Sequence, residues 1–484
     1  MTTAIASKGT LKWYINSAIT LLLMFGIGHL PPVGALTPVG MDILGIFIGV
    51  VYGWSTVELI WPSLVGFFAL GFTDITTMQN LFIMGFGNDV WVFMLLMFIF
   101  MAFLEHAGVT NYLCNWIISR KFLKGRPWLF SLILLEGCYL IASFVGAFAS
   151  IVFFWALIYS VCQKFGYKPY DKYPTLMLLG VMIASCYALV VFPFLGNAII
   201  LVASFQQMSS LSIDFLQFIA FTIPLGVLSV AVYVLICRYI FKPDMTALQG
   251  IDDSIISKDD LKLTTTTKIA LALSVLMLFL MLAPKFMPAD FFLTLFLNKM
   301  GMSGVFVILI VISLILRVDG QPFFRFKAMA DKGVMWEALL LGAFIMPLSS
   351  LLTNEATGIT AFLSGLFGPI LAGRSPFVFM LIIIICANVL TNFANNGVIA
   401  LIFMSIVCSF SDAMAINPTP ICVMIMLTVQ IALITPAASP FAAILFGNTA
   451  WLKPADIRQY GIISIALLLV VMVTVGYGWL HIIY

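Results

Sequence analysis

The chain has 484 residues, 63% of them hydrophobic and only 9% charged, with a mean hydropathy of +1.15 and a net charge of +3. A soluble domain carries about 25% charged residues, and so few cannot cover a water-facing surface for a chain of this length. An ordinary soluble enzyme is therefore excluded, and no basic stretch interleaved with aromatics offers a nucleic-acid surface. The eight cysteines are scattered, with no CxxC and no Cys/His zinc spacing, and read as small apolar residues. A bilayer removes the need for a charged surface. At about 20 residues per spanning helix, the length has room for about ten to twelve spans.

Lys8 and Lys12 precede the first apolar run, which lacks a small-x-small cleavage site and is followed by many more apolar segments. It reads as a retained helix with its N-terminus in the cytoplasm. Apolar segments fall at about 13–30, 40–54, 57–72, 89–116, 127–161, 174–206, 214–240, 267–288, 303–316, 335–352, 375–411, 418–450 and 460–483. Each predicts helix, because an open strand edge is not tolerated in lipid. Trp13, Trp451 and Trp479 lie near segment ends and read as interfacial anchors. Glu58, Glu105, His106 and Glu337 fall at scaffold or interface positions and read as structural. Two polar stretches stand out: 241–268 reads as a solvated linker, and 317–333 as an amphipathic surface segment.

The segments 127–161 and 375–411 are too long for one span and too short for two. Each is interrupted near its middle, by SFVGAFAS (143–150) and TNFANNGV (391–398). Two half-helices meeting at such a break form a re-entrant hairpin, which survives at membrane depth only against protein or a watery cavity. Each hairpin is followed by a long segment with its own break, FPFLGNAI (192–199) and TPAASPFAAI (435–444). The distance between breaks is about fifty residues in both halves, so hairpin, broken helix and helix form an internal repeat. Paired interrupted segments in two halves point to a transporter's binding site.

Charge gives the orientation. With the N-terminus inside, the first hairpin entering from the cytoplasm and the second from outside, only Lys285, Lys299 and Arg374 of the 23 Lys and Arg fall outside. That bias satisfies the positive-inside rule and makes the repeats opposite in orientation. The expectation is an all-α polytopic protein of the cell membrane, with about 11 transmembrane helices plus two re-entrant hairpins in inverted repeats and an extracytoplasmic C-terminus.

These segments resemble the divalent anion/sodium symporter family, the carriers of di- and tricarboxylates and sulfate, over nearly the whole chain. GWSTVELIWPSLVGFFALGF looks like that family's TEALP-type segment, and FGNDVWVFMLLMFIFMAFLEHAGV is similar to its WLFLGGF…ALEKTGL helix. TNFANNGVIA stands where the family has TNFxSNTATA, and ASPFAAILFG where it has xTPPNAIVFG. The resemblance implies a sodium site at Thr391, Ala394, Asn396 and Ala438, with Na⁺ as coupling ion and no further cofactor. It places substrate at Asn395, Asn396, Gly397, Ser439 and Pro440, joined by Asn197, Gly146 and Phe148 of the first half. It also implies a homodimer in which a transport domain (127–240 plus 375–484) slides on a scaffold (1–126 plus 241–374).

The first half departs from the family pattern. Gly146, Ala147 and Phe148 replace its Ser-Asn-Thr, Ala142 stands where it has a serine, and the facing turn keeps only Asn197. Side-chain oxygens for a second ion are gone. A dicarboxylate loses contacts as well, and an anion with one charged and one apolar end, such as a monocarboxylate, is expected instead. Glu136, an acid inside an apolar segment, is a candidate proton site. It leaves open a proton-coupled exchanger or antiporter as the alternative to sodium-coupled uptake of a small anion. With three His in the chain and no HExxH, a membrane enzyme has no motif to support it. A channel, the remaining rival, would show unitary conductance.

Overall fold

A computed structural model describes residues 9–484 apart from 119–124, 196, 251–262, 319, 353, 360, 363–364, 366–374, 394, 412–415 and 436–437. In chain order the helices of the first half are α1 (Leu11–Gly26), α2 (Pro38–Thr56), α3 (Ile60–Gly71), α4 (Met78–Phe86), α5 (Asp89–His106), α6 (Val109–Ile118), α7 (Pro127–Val145), α8 (Ala147–Lys164), α9 (Lys172–Ala188), α10 (Ala198–Ser209) and α11 (Phe215–Ile236). The second half adds α12 (Thr265–Phe286), α13 (Phe292–Ile315), α14 (Phe326–Gly333), α15 (Trp336–Leu352), α16 (Pro376–Thr391), α17 (Asn396–Ser411), α18 (Pro418–Thr428), α19 (Pro440–Gly447), α20 (Pro454–Val471) and α21 (Tyr477–Ile483). Among the described residues the only strands are the two-residue pair Arg317–Val318 and Gln321–Pro322. The chain is an all-α polytopic membrane protein.

Helix starts follow local chemistry. The side chains of Thr10, Thr37, Thr77, Asp214, Thr264, Ser375 and Asn417 each accept a backbone N–H of the following first turn, satisfying donors that a helix start leaves unpaired. Proline opens α2, α7, α16, α18 and α20, where its missing N–H costs nothing.

Eight helices among the described residues are long and apolar enough to cross a membrane, fewer than the expected eleven. The difference has a physical source: α3, α10, α16, α17 and α18 are apolar but only 10–17 residues long, because breaks and hairpin tips divide the apolar runs. The first hairpin differs in the other direction. Its arms α7 and α8 contain 19 and 18 residues and extend to Lys164, about 27 Å each at 1.5 Å per residue. Each arm is therefore as long as a span by itself.

The chain forms two compact units. The first comprises Met1–Val92, Ile199–Ile213 and Met335–Ala443. Here α1 lies along α2, α15 covers α2, α3 and α4, and the hairpin arms α16 and α17 both pack on α18. Every described residue of α18 except Pro420 is buried, as a helix apolar on all sides should be. Phe67 anchors the other part of this unit, with Phe82, Phe86 and Phe344 rings 5.2–5.5 Å away.

The second unit comprises Phe93–Ala198, Asp214–Val334 and Ile444–Tyr484. Its centre is α9, buried from Tyr173 to Ala188 and packed against α7, α8, α11 and α20. Buried tyrosines pin α11 in place: Tyr233 donates to the Leu176 carbonyl (2.6 Å) and Tyr139 to that of Thr222 (3.2 Å). A Cβ at position 226 would overlap the Tyr139 hydroxyl, so Gly226 is what lets α7 and α11 approach. One end of the unit gathers three polar loops. Tyr167 donates to the Asp244 carbonyl (2.7 Å), Tyr170 to that of Thr449 (2.8 Å), and Lys453 lies 5.2 Å from the Tyr170 ring. The start of α11 is at the other end, where Gln217 donates to the Ile483 carbonyl (3.1 Å).

Candidate functional site

The repeat read from the sequence is present as helix order. Hairpin α7–α8 precedes α9, a break at 189–197, α10 and α11; hairpin α16–α17 precedes α18, a break at 429–439, α19 and α20. Both breaks begin earlier than their prolines suggest. In each, a side chain from another helix takes a backbone carbonyl of the opened stretch.

In the second hairpin, α16 ends at Thr391 and α17 begins at Asn396. Four side chains of this hairpin reach the facing break. Asn388 donates to the carbonyl of Thr428 (3.3 Å) and Thr391 to that of Val429 (2.9 Å). Asn392 accepts two backbone N–H bonds through its Oδ1, from Leu433 (3.0 Å) and Ile434 (3.1 Å), and its Nδ2 returns to the Asn388 carbonyl (2.8 Å). Asn396 donates to Gln430 Oε1 at 3.1 Å. From the break, Thr435 donates to the Asn392 carbonyl (2.6 Å). These groups are at most 6% exposed, apart from half-buried Thr435.

The residues expected at the site are distributed as follows. Thr391 and Ala438 are fully buried; the Thr391 hydroxyl is committed to Val429, which leaves its carbonyl for an ion. Asn395 is half-buried and caps α17, its Oδ1 accepting from the N–H groups of Gly397 (3.0 Å) and Val398 (3.3 Å). Ser439 donates to the Ala432 carbonyl (3.2 Å) and accepts from Ala442 N–H (3.1 Å), so it secures freed backbone. Ala394 and the Pro440 side chain lie outside the described residues. Asn388, Asn392 and Gln430 were missed by reading motifs. The signal was available: Asn388, Asn392 and Asn396 recur every four residues, and Gln430 is a lone amide in an apolar run. The Thr428 hydroxyl, also buried, has no hydrogen-bond partner among the described residues. The arrangement offers carbonyl and amide oxygens suited to a small hard cation and, at the start of α17, the positive end of a helix suited to an anion.

The first hairpin has a different character. Its arms meet at Gly146, φ +115°, a conformation that L side chains rarely adopt. Around it stand aromatic rings: Phe144 lies 5.0 Å from Phe192, Phe192 5.6 Å from Phe194, and Phe194 5.8 Å from Phe215. Phe148 is 42% exposed. The hydroxyls nearby serve the backbone, Ser143 donating to the Tyr139 carbonyl (2.8 Å) and Ser150 to that of Gly146 (3.0 Å). Thr222 donates to the Val191 carbonyl in the break (2.8 Å). Asn197 is half-buried at the end of the break, one residue before α10. Glu136 lies midway along α7, and neither buried carboxylate oxygen has a hydrogen-bond partner among the described residues.

A polytopic helical protein in which hairpin, interrupted helix and helix recur in both halves of one chain is built as a secondary transporter rather than an enzyme. The chain belongs to the sodium:sulfate symporter family: the family model for the sodium:sulfate symporter transmembrane region matches residues 11–484. Among solved structures its fold is similar to that of the YdaH transporter of Alcanivorax borkumensis, whose topology is described as unusual. The TM-score is 0.59 at 14% identity, over 98% of each chain. No curated protein matches the sequence significantly.

Proposed function

We propose that this protein is a sodium-coupled carrier for uptake of a small anion, working as an elevator. The observation that carries the reading is the second hairpin tip: Thr391, Asn392 and Asn396, all buried, stand against an unwound stretch that presents buried Gln430. In this reading Na⁺ takes oxygens from Thr391, Ala394, Asn396 and Ala438. The anion takes N–H groups at the start of α17, with Asn395 releasing its cap to make room. The transport domain is 127–240 plus 375–484, the scaffold 1–126 plus 241–374, and the working unit a homodimer. The N-terminus is cytoplasmic and the C-terminus extracytoplasmic. Supporting this orientation, Lys164, Lys168, Lys172, Lys242 and Lys453 belong to or flank the loops gathered at one end of the second unit.

The first tip has Gly146, Ala147 and Phe148 in place of Ser-Asn-Thr, so those positions offer a second carboxylate no side-chain hydrogen bond, and Asn197 is left as the polar side chain of the first half. The favoured substrate is thus an anion with one charged end. Thermal-shift titration of the purified chain with sulfate, succinate and a series of monocarboxylates, each with Na⁺ or with K⁺, tests the reading, because selective binding raises apparent stability. Stabilisation by an anion that needs Na⁺ supports it; equal response in K⁺ counts against it.

A second reading rests on the two oxygens of Glu136, which have no hydrogen-bond partner among the described residues. An ionised carboxylate buried without a partner costs several kcal/mol, so a proton carried there could drive exchange. Uptake into proteoliposomes driven by a pH gradient without Na⁺, and lost in Glu136→Gln, would favour this alternative.

A further inference from the structure

Gln430 is fully buried in the unwound stretch opposite the second tip. Its orientation follows from one fixed point. The Met426 carbonyl can only accept, so Gln430 must turn Nε2 towards it, at 3.0 Å. That leaves Oε1 facing Asn396, which must then offer Nδ2, at 3.1 Å. The Asn396 oxygen is consequently placed on the opposite edge of its amide. There the Gly397 N–H, shared with Asn395 Oδ1, uses one lone pair, at 3.0 Å, and a carbonyl oxygen has two. An amide without such a constraint can present either its oxygen or its nitrogen, and only the oxygen can meet a cation.

We infer that Gln430 is a positioning residue for the coupling ion: through a relay from the Met426 carbonyl it holds the Asn396 amide with its oxygen, not its nitrogen, available to Na⁺. The inference rests on the sodium-coupled reading above and adds a residue outside the tip motif. Gln430 need not touch the ion. It excludes the amide orientation that would repel it.

The test is a Na⁺ titration of the purified full chain, followed by thermal shift against K⁺, on a double-mutant cycle. Gln430→Met removes the relay with little change in volume. Gln430→Asn keeps an amide but is one methylene short of Asn396, and serves where Gln430→Met does not fold. Both should weaken Na⁺ binding about tenfold, the worth of one lost oriented hydrogen bond. In an Asn396→Ala background the same substitutions should cost nothing further, because Gln430 acts only through Asn396. A residue that merely stabilises the break would weaken Na⁺ binding equally in both backgrounds, and that result overturns the inference. So does unchanged Na⁺ affinity in both single variants. A wild-type chain indifferent to Na⁺ would instead overturn the sodium reading, and the inference with it.

Discussion

The Thr435 hydroxyl donates to the Asn392 carbonyl at 2.6 Å, while Asn392 itself accepts the N–H groups of Leu433 and Ile434. Tip and break are thus tied in both directions at a single asparagine. Asn392→Ala would leave one buried and one part-buried N–H group without its Asn392 partner, at a cost of about 1–3 kcal/mol. The thermal midpoint in detergent should fall, and amide exchange at 433–434 should accelerate. Protection unchanged at those two amides would show that the break does not depend on Asn392.

Gly146 supplies a backbone conformation rather than space. A Cβ there meets nothing within 4 Å, yet φ is +115°. Gly146→Ala should destabilise by about 1–2 kcal/mol through strain alone. Gly461, in α20, also has open space around a Cβ but no positive φ. Gly461→Ala should be neutral or stabilising, since alanine favours helix. Equal melting of the two variants would remove the strained-tip argument.

These two cases show what the sequence could and could not reveal. The hairpins were legible because Gly146 and the Asn395–Asn396–Gly397 run interrupt apolar segments. The helix breaks were legible only in part. In the second, helix ends at Thr428, well before Pro436, because Asn388, Thr391 and Asn392 take backbone groups from the other side. In the first, the Thr222 hydroxyl takes the Val191 carbonyl inside the break, three residues past the end of α9 at Ala188. Such unwinding is encoded in the partner segment, out of reach of local pattern. Pro436 marks where a helix cannot continue, not where this one stops.

Sodium binding should be asymmetric between the halves. Thr391 and Asn396 are buried beside the second break, which contains buried Ala438, whereas Ala142, Gly146 and Ala147 contribute no side-chain oxygen at the first tip. Equilibrium titration should show one dominant Na⁺ site, weakened at least tenfold by Asn396→Ala. Two sites of similar strength would contradict this.

Substrate choice follows from the aromatic first tip, where Phe144, Phe192 and Phe194 stand together. A second carboxylate would lose a charge-assisted hydrogen bond there, about 1.5–3 kcal/mol. Na⁺-dependent uptake of monocarboxylates should accordingly exceed that of succinate. Tight, saturable succinate uptake with monocarboxylates inert would reverse the assignment.

Glu136→Gln keeps shape and removes the ionisable group. Because neither oxygen has a partner among the described residues, no ion pair seen there is broken. The variant should melt at or above the wild-type temperature, in contrast to the loss of 3–5 kcal/mol, roughly, that follows breaking a buried ion pair. A marked fall in midpoint would reveal an ionised carboxylate with a counter-charge.

The eleven-residue interruption between α18 and α19 is secured by side chains of its own unit at Thr428, Val429, Ala432, Leu433 and Ile434. The disorder that an unwound stretch would otherwise retain has been removed during folding. Under the proposed function, an arriving solute would meet a surface already in shape, and little of its binding free energy would go into ordering the chain. Recognition at this half should resemble a key entering a cut lock, with association limited by access rather than by rearrangement of the break.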